Sequence, residues 1–214
     1  MSNFQTTNLD MAYTHIKAMY NLVTVQGEEL ASNFSSIINS LMSHWKGSDA
    51  TLHINNLISM YQSFCPLIGD VTRVAHNVSI PIVEAQTIRS ANGGSGNVDA
   101  VISEHDVTQT TFNSLGDTVE YYVDPDGAKA DYTNLSTLCD DFNRFQNTFS
   151  THKDNLLEVW TDGVDRNNAI NIMDEFLSNA QSCYRVIGDA ANNLQIATKN
   201  FESLTTSNLS GSAE

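Results

Sequence analysis

Catalysis and metal binding need particular residue types at particular spacings, and this chain does not show those spacings. No two of its histidines lie four residues apart, and they form no cluster with carboxylates of the kind that binds zinc, so we predict no metal site. Polar residues that could form a Ser/His/Asp or Cys/His nucleophile are spread along predicted solvent faces. We therefore predict a protein that is not an enzyme and has no small-molecule substrate, cofactor or metal. The histidines are His15, His44, His53, His76, His105 and His152.

Other features that can mark active sites have simpler structural explanations. Paired acids at residues 28–29 and 140–141 are typical of helix surfaces and first turns. The glycine-rich run at residues 93–96 lacks the lysine and the strand-to-helix context of a phosphate-binding loop. The three cysteines form no C-x-x-C pair, and spacing alone leaves open whether any forms a disulfide. Cys65 and Cys183 fall near apolar helix faces and are predicted to be small buried residues, whereas the pattern assigns Cys139 no role.

Composition limits the classes of partner. The chain has 214 residues, enough for one or two domains with a sizeable core. Its 25 acidic and 10 basic residues give a net charge of −15, which disfavours nucleic acid and anionic membranes and favours a basic protein partner or simple solubility. No stretch approaches the roughly 20 apolar residues needed to span a bilayer. The first residues lack the regions of a signal peptide, so any export is expected to use another route.

An internal repeat organises the chain. A shift of 115 positions aligns Trp45 with Trp160, and a shift of 116 aligns Gly47 with Gly163. The one-residue step falls between the tryptophan and the glycine, as an insertion in a turn would. A repeat of this length indicates two copies of one supersecondary unit. Other aligned pairs are Phe34 and Phe149, Leu41 and Leu156, and Ile54 and Ile170.

Apolar residues at alternating spacings of three and four predict two long antiparallel helices in each copy, on either side of the Trp-to-Gly element. We therefore predict an all-α fold in which two helical hairpins in tandem form an elongated four-helix bundle. The predicted buried stripes are Ile16, Tyr20, Val23, Leu30, Phe34, Ile37 and Leu41; Ile54, Leu57, Tyr61, Phe64, Ile68, Val71, Ala75 and Val78; Leu135, Leu138, Phe142, Phe145, Phe149, His152, Leu156 and Val159; and Ile170, Met173, Leu177, Ala180, Tyr184, Ile187, Ala191 and Leu194.

Glycine, proline and small polar residues predict the domain boundaries. Residues 1–92 form the first hairpin, residues 93–128 a less regular connector with a short helix or small hairpin, and residues 129–214 the second hairpin. The polar segment from Thr205 is predicted to be a disordered tail.

Prolines set two further expectations. Pro66 and Pro81 are expected to interrupt or bend the second helix. The Asp-Pro-Asp-Gly run at residues 124–127 predicts a turn, after which the third long helix starts near Lys129 or Ala130.

Each Trp-to-Gly element has the residues of a helix-to-helix turn. Gly47 and Gly163 can adopt a positive φ, and Ser48 or Asp49 in the first copy and Asp165 in the second can cap the next helix. The tryptophan at the end of each stripe either fixes the angle of the hairpin or forms part of a docking or secretion determinant, and these two roles are compatible.

A helix, a Trp-x-Gly turn and a second helix resemble the WXG family of small proteins exported by type VII (ESX-like) secretion systems. Trp45-Lys46-Gly47 matches the family motif, and Trp160-Thr161-Asp162-Gly163 departs from it by one inserted residue. The resemblance covers roughly residues 9–80 and 130–204. A tandem copy would then resemble a fused family dimer.

The resemblance implies a non-enzymatic secreted protein, cytoplasmic before export, that has no cleaved signal peptide. Such proteins are substrates, partners of a larger exported protein, or virulence-linked factors. The implied partners are secretion machinery or a co-secreted protein, and the chain itself is expected as a monomer with an intramolecular bundle or as a homodimer. The family export signal is a tyrosine followed four residues later by an acid, a spacing shown by Tyr122 and Asp126, although these precede the third helix. An ordinary turn explains the same residues.

The alternative is a structural helical-bundle protein of a cell surface or appendage, unrelated to secretion. In that case the Trp-to-Gly elements are only hairpin turns. The exposure of the tryptophans at the end of the bundle discriminates between the two hypotheses.

Overall fold

The computed structural model describes residues 4–116, 120–163 and 166–211, the last five of these by their backbone alone. The fold is an all-α helical bundle, which confirms the predicted fold class. A π-helical segment, Leu22–Gly27, joins the first two α-helices. The helices are α1 (Leu9–Asn21), α2 (Glu28–His44), α3 (Ser48–Ala91), α4 (Pro125–Val159) and α5 (Arg166–Gly211), and the short strands are β1 (Gln5–Thr6), β2 (Trp45–Lys46), β3 (Tyr122–Val123) and β4 (Trp160–Asp162).

The chain forms two compact units, each assembled from both predicted hairpins. The first unit contains α1 and segments of α3, α4 and α5, and the second contains nearly all of α2 and the other segments of α3, α4 and α5. The predicted domain boundaries after residues 92 and 128 stay a prediction. Among the described residues, the first unit consists of the chain up to Glu29, Phe64–Thr108 and Arg144–Ala180, and the second of Leu30–Ser63, Gln109–Asn143 and the chain from Gln181.

Aromatic rings from three helices form the core of the first unit. The ring centroid of Phe176 lies 4.7 Å from that of Phe149, 5.6 Å from that of Phe145 and 5.7 Å from that of Phe64. These side chains are at most 1 % exposed. Their tilted and edge contacts add to the free energy gained by burying their apolar surface.

In the second unit, Phe34 lies in a second cluster of aromatic rings. Its ring meets Tyr61 and Phe142 edge to face, with centroid distances of 5.8 and 6.0 Å. Tyr61 in turn contacts Phe112 of the segment between α3 and α4 at 5.5 Å. All eight residues of the predicted stripe on α3 are buried, as are Cys65 and Cys183.

The predicted stripe on α5 is wrong at three positions, the first of which is Ile170, a half-buried residue. Phe176 and Cys183 are buried, whereas Leu177 is half-buried and Tyr184 is exposed. Both sets of residues fit a spacing of three and four, because apolar residues occupy positions 176 and 177 side by side. Phe176, and not Leu177, packs into the aromatic core of the first unit. This contact fixes the rotation of α5 about its own axis in this segment.

Neither proline interrupts α3, although interruption was one of the two outcomes that we expected, and the expected bend stays a prediction. The helix continues for ten residues beyond it, to Ala91. Pro66 is exposed and Pro81 is half-buried, while the adjacent Ile82 is fully buried. Burial of the apolar face therefore offsets the hydrogen bond that each proline removes.

Helix α4 starts earlier than predicted, at Pro125 instead of near Lys129. Proline suits the first position of a helix because it has no N–H to satisfy there. Asp124 accepts the Ala128 N–H at its carbonyl and the Asp126 N–H at its carboxylate, at 2.8 and 3.2 Å. The predicted turn is thus a capped helix start.

Helix α5 extends to Gly211, through the segment where we predicted disorder from Thr205. Hydroxyl groups satisfy carbonyls of the preceding turn in this segment. Thr205 and Thr206 donate to the carbonyls of Phe201 and Glu202, respectively, at 3.1 and 2.8 Å. The hydroxyl groups are thus satisfied within the helix, although such bonds do not themselves favour a helical backbone.

Among the described residues between α3 and α4, residues 94–116 form neither the short helix nor the hairpin that we predicted. Side chains of α3 instead form hydrogen bonds with the backbone of this segment. In the first unit, Ser79 accepts the Ile102 N–H at 2.9 Å, and Thr72 accepts the His105 N–H at 3.2 Å. An extended backbone needs such external partners because it has no internal ladder.

The same arrangement continues in the second unit. Asn55 exchanges two hydrogen bonds with the backbone of Leu115, at 2.7 and 3.0 Å. Gln62 donates to the Phe112 carbonyl at 2.9 Å. In each unit, polar side chains of α3 therefore anchor the extended segment.

Candidate docking site at the two tryptophan turns

The turn between α2 and α3 lies in the second unit. Gly47 has a φ of 126°, which confirms the predicted positive φ. Strand β2 pairs antiparallel with β3, so that Trp45 lies opposite Val123 and Lys46 lies opposite Tyr122. Trp45 is 2 % exposed, and its ring stacks on His53 with centroids 5.7 Å apart.

The turn between α4 and α5 lies in the first unit and has the same design. Gly163 has a φ of 139°, again as predicted, while the predicted cap Asp165 lies outside the described residues. Trp160 is 1 % exposed, and the centroid of its ring lies 5.5 Å from the ring centroid of Phe4. The Arg166 Nε donates to the Trp160 carbonyl at 2.8 Å and joins the turn to the start of α5.

A β-bulge accommodates the extra residue of the second turn. Strand β4 pairs with β1, so that Trp160 lies opposite Thr6 and Asp162 lies opposite Gln5. Thr161 therefore has no opposite residue of its own in the strand register, as expected for one inserted residue. The insertion changes the pairing locally and preserves both the tryptophan and the glycine of the turn.

The two strand pairings are reciprocal between the hairpins. The turn of the first hairpin pairs with β3, which leads into the first helix of the second hairpin. The turn of the second hairpin pairs with β1, which leads into the first helix of the first hairpin. Sequence reasoning did not find these pairings because the strands have only two or three residues.

The tryptophans differ in the satisfaction of the indole nitrogen. The Trp160 Nε1 donates to the Asp162 carbonyl at 3.1 Å. The Trp45 Nε1 is buried without a hydrogen-bond partner. A buried N–H without a partner destabilises the folded state, typically by about 1–3 kcal/mol. At Trp45, the free energy gained by burying the indole ring therefore outweighs this penalty.

A buried carboxylate joins α4 to α2 beside the first turn. The Asp131 side chain, whose residue is 1 % exposed, accepts from the Ser40 hydroxyl at 2.6 Å, and its other oxygen lies 2.7 Å from the His44 Nδ1. The His44 carbonyl accepts the Asp124 N–H at 2.9 Å, which extends the pairing of β2 with β3. This cluster fixes the residue immediately before Trp45.

The cluster contains serine, histidine and aspartate but lacks the geometry of a catalytic triad. In a triad, the two nitrogens of the histidine ring contact the serine and the aspartate separately. Here one nitrogen, the His44 Nδ1, lies near both Asp131 and Ser40, at 2.7 and 3.4 Å. The Ser40 hydroxyl donates to the carboxylate, so the histidine does not activate it as a nucleophile. The sequence pattern missed this cluster because Asp131 comes from the other hairpin.

Gly127 leaves space for the His44 ring. A methyl group at this position would lie 2.6 Å from two atoms of that ring. We expect Gly127→Ala to displace His44 and to lower the free energy of unfolding by about 1–3 kcal/mol, as overpacking does. Gly116→Ala is the control, since nothing lies within 4 Å of its added methyl group. Urea unfolding compares the two variants, and equal stabilities would contradict the expectation.

The residues of the candidate export signal lie beside the first turn. Tyr122 is 40 % exposed, and the Lys46 Nζ lies 5.7 Å from the centroid of its ring. Asp126 is exposed in the first turn of α4. The pairing of β2 with β3 thus places Tyr122 next to the Trp45 turn, on surface that a partner can reach.

No family model, curated protein or solved structure matches the chain. Within residues 4–116, 120–163 and 166–211, no helix has the length and apolar character required to cross a bilayer. In the same part of the chain, no group of three or more His, Cys, Asp or Glu side chains converges on a metal position.

Proposed function

We propose that the chain is a tandem WXG-like protein of a type VII secretion system, exported itself or acting as the partner of a larger exported protein. The observation that carries the proposal is the reciprocal pairing of the two turns. Each Trp-to-Gly element closes on the segment that leads into the other hairpin. Two hairpins that complete each other in this way correspond to a fused dimer, and the same pairing favours a monomer over the homodimer alternative.

The exposed surface beside the first turn supplies the docking site in this proposal. Tyr122 and Asp126 have the spacing of the family export signal, and both are exposed. The net charge of −15 favours a basic surface on the secretion machinery or on a co-secreted protein. Trp45 acts indirectly, since it is buried and holds β2 against β3.

An export assay tests the proposal in the organism that encodes the chain. Wild-type protein is expected in the culture medium, and its export should stop when the secretion ATPase is inactivated. Tyr122→Ala is expected to reduce export at least tenfold. Tyr121→Ala is the matched control, because this neighbour is also exposed and contacts Phe201, but Pro125 stands four residues after it.

The outcomes of the assay separate the parts of the proposal. Equal loss of export in both tyrosine variants would point to damage at their shared contact with Phe201. Normal export of both would place the signal elsewhere in the chain. Retention of the wild-type protein in cells that export other type VII substrates would contradict the proposal.

The second candidate is a structural bundle protein of a cell surface or appendage. Burial of both tryptophans favours it, because exposures of 2 % and 1 % leave neither tryptophan ring accessible to a partner. Such a protein would reach the surface without the secretion ATPase. The export assay in the ATPase-deficient strain therefore distinguishes the two candidates.

A further inference from the structure

The segment that follows α3 is bound in the first unit through its backbone. Residues 94–108 of this segment form no helix or strand. The Ser79 hydroxyl accepts the Ile102 N–H at 2.9 Å, and the His76 Nδ1 donates to the Ile102 carbonyl at 2.7 Å. Side chains of α3 therefore bind both polar backbone groups of Ile102.

Two further residues of the segment are bound in a similar way. The Thr72 hydroxyl accepts the His105 N–H and also lies 3.2 Å from the His105 carbonyl. The Tyr13 hydroxyl of α1 donates to the Ala100 carbonyl at 2.7 Å and accepts the N–H of the same residue at 3.3 Å. Contacts of this kind recognise a peptide backbone and tolerate different side chains, as main-chain hydrogen bonds do in peptide recognition.

The two hydroxyl groups of α3 are oriented by the helix itself. Ser79 and Thr72 are 0 % exposed. Each donates to the carbonyl three residues earlier on the helix, Ser79 at 2.8 Å and Thr72 at 2.9 Å. These bonds leave the two oxygens as acceptors for the N–H groups of the segment.

The spacing of the contacts fits an extended peptide. Ser79 and Thr72 are seven residues apart on α3, whereas Ile102 and His105, to which they bind, are three residues apart. Seven residues of α-helix rise by about 10.5 Å, and three extended residues span about 10 Å. The contacts therefore stay in register along two turns of the helix.

The same register occurs in the second unit. Gln62 and Asn55, again seven residues apart on α3, bind the backbone of Phe112 and Leu115, again three residues apart. Each unit also buries one side chain of the segment, Ile102 at 7 % and Phe112 at 8 % exposure. A repeated register indicates that α3 is built to bind an extended chain.

Charged residues define the two ends of the site in the first unit. The Lys17 Nζ lies 3.0 Å from the carboxylate of Asp99, three residues before Ile102. The Glu28 carboxylate lies 2.6 Å from the Nε2 of His105, three residues after Ile102. The site therefore fits an acidic, a branched aliphatic and a basic residue at intervals of three.

We propose that these side chains form a binding site for an extended segment of a partner protein, and that the chain's own segment occupies it as a stand-in. The partner segment carries an acidic residue, a branched aliphatic residue and a histidine or lysine at intervals of three. The site, called the peptide site below, consists of Tyr13, Lys17, Glu28, Thr72, His76 and Ser79.

The chain's own segment is suited to being displaced. Between residues 97 and 105, Ile102 is the one buried residue, and the others are exposed or half-buried. A segment with few buried apolar contacts opens at a lower free energy than the helices beneath it. The proposal does not rest on the proposed function, since it concerns binding by the purified protein.

Fluorescence anisotropy of a labelled synthetic peptide with the sequence of residues 97–108 tests the proposal. The host is the full-length Ile102→Asp variant, in which a carboxylate cannot remain in the apolar position and the site is freed. We expect saturable binding at least tenfold tighter than to the wild-type protein, whose tethered segment competes at a high effective concentration. Absence of saturable binding by the folded variant would overturn the proposal.

Two altered peptides on the same host are the matched controls. A peptide with Ile102→Asp is expected to bind at least tenfold more weakly, because its carboxylate would be buried. A peptide with Asp99→Lys places a like charge beside Lys17 and should bind about threefold more weakly, since exposed ion pairs contribute little. Equal affinities of all three peptides would overturn the proposal, and an unchanged affinity of the Asp99→Lys peptide alone would remove the acidic residue from the proposed ligand.

Hydrogen exchange of the wild-type protein provides a measurement that does not depend on the folding of a variant. The amides of Ile102 and His105 are expected to exchange at least tenfold faster than that of Ile68, a fully buried residue of α3, because release of the segment does not require unfolding of the helix. Equal protection of the three amides would mean that the segment opens only with the core, and this result would also overturn the proposal.

Discussion

Trp45→Ala is expected to lower the free energy of unfolding by about 3–5 kcal/mol, as truncation of a large buried aromatic does. The indole ring is 2 % exposed and stacks on His53, so alanine leaves a cavity between the start of α3 and β2. Helix content should change little, because the helices extend far beyond the turn. Urea unfolding followed by circular dichroism measures both quantities. A decrease below about 1 kcal/mol would contradict the structural role.

Export should fall in the same variant by more than its helix content does. The physical reason is that loss of the ring releases β2 from β3 and with it the position of Tyr122. A variant that loses stability as expected but is exported normally would separate the turn from the export signal.

Phenylalanine substitutions provide the matched controls, since each leaves a single tryptophan as a fluorescent reporter. Trp160→Phe removes the bond to the Asp162 carbonyl, whereas Trp45→Phe removes an N–H that has no partner. We therefore expect Trp160→Phe to be the more destabilising change, by about 1–3 kcal/mol. The reverse order would show that the Trp45 nitrogen is satisfied in solution.

Asp131→Ala is expected to lower the free energy of unfolding by about 2–4 kcal/mol. The substitution leaves the half-buried Ser40 hydroxyl and His44 ring nitrogen without their buried acceptor. Asp140→Ala is the control, because it removes the same charge from an exposed position on the same helix and should change stability by about 0.5 kcal/mol or less.

Chemical denaturation of both aspartate variants at one pH makes the comparison. Equal effects would mean that net charge, rather than the buried cluster, determines the stability change. Asp131→Asn adds a further test, since the amide keeps one acceptor and turns a donor toward the other partner. It should fall between the wild type and the alanine variant.

The local sequence was sufficient to predict the helices and the turns. Periodic apolar residues specified every buried position of the predicted stripe on α3, because a helix must bury its apolar face whatever it packs against. Gly47 and Gly163 were predictable for a similar reason, since a sharp turn between helices requires a conformation that other residues avoid. The one-residue step in the repeat predicted an insertion in the second turn, and the structure accommodates it as a bulge at Thr161.

Predictions failed where two local signals competed. At Pro81, we expected the helix to be interrupted or bent, and burial of Ile82 and the rest of the apolar face kept it from being interrupted. At residues 176 and 177, periodicity allowed either side chain, and contacts with other aromatic rings decided in favour of Phe176. Local propensities are small compared with the free energy of packing a large ring.

The sequence by itself therefore determined the all-α class, the tandem repeat and the apolar face of most helices. Tertiary structure alone decided that Asp131 meets Ser40 and His44, that His15 meets His152, and that each turn pairs with the other hairpin. The physical reason is one of range. Periodicity and turn chemistry act within a few residues, whereas these contacts join residues at least 76 positions apart and depend on the packed arrangement of whole helices.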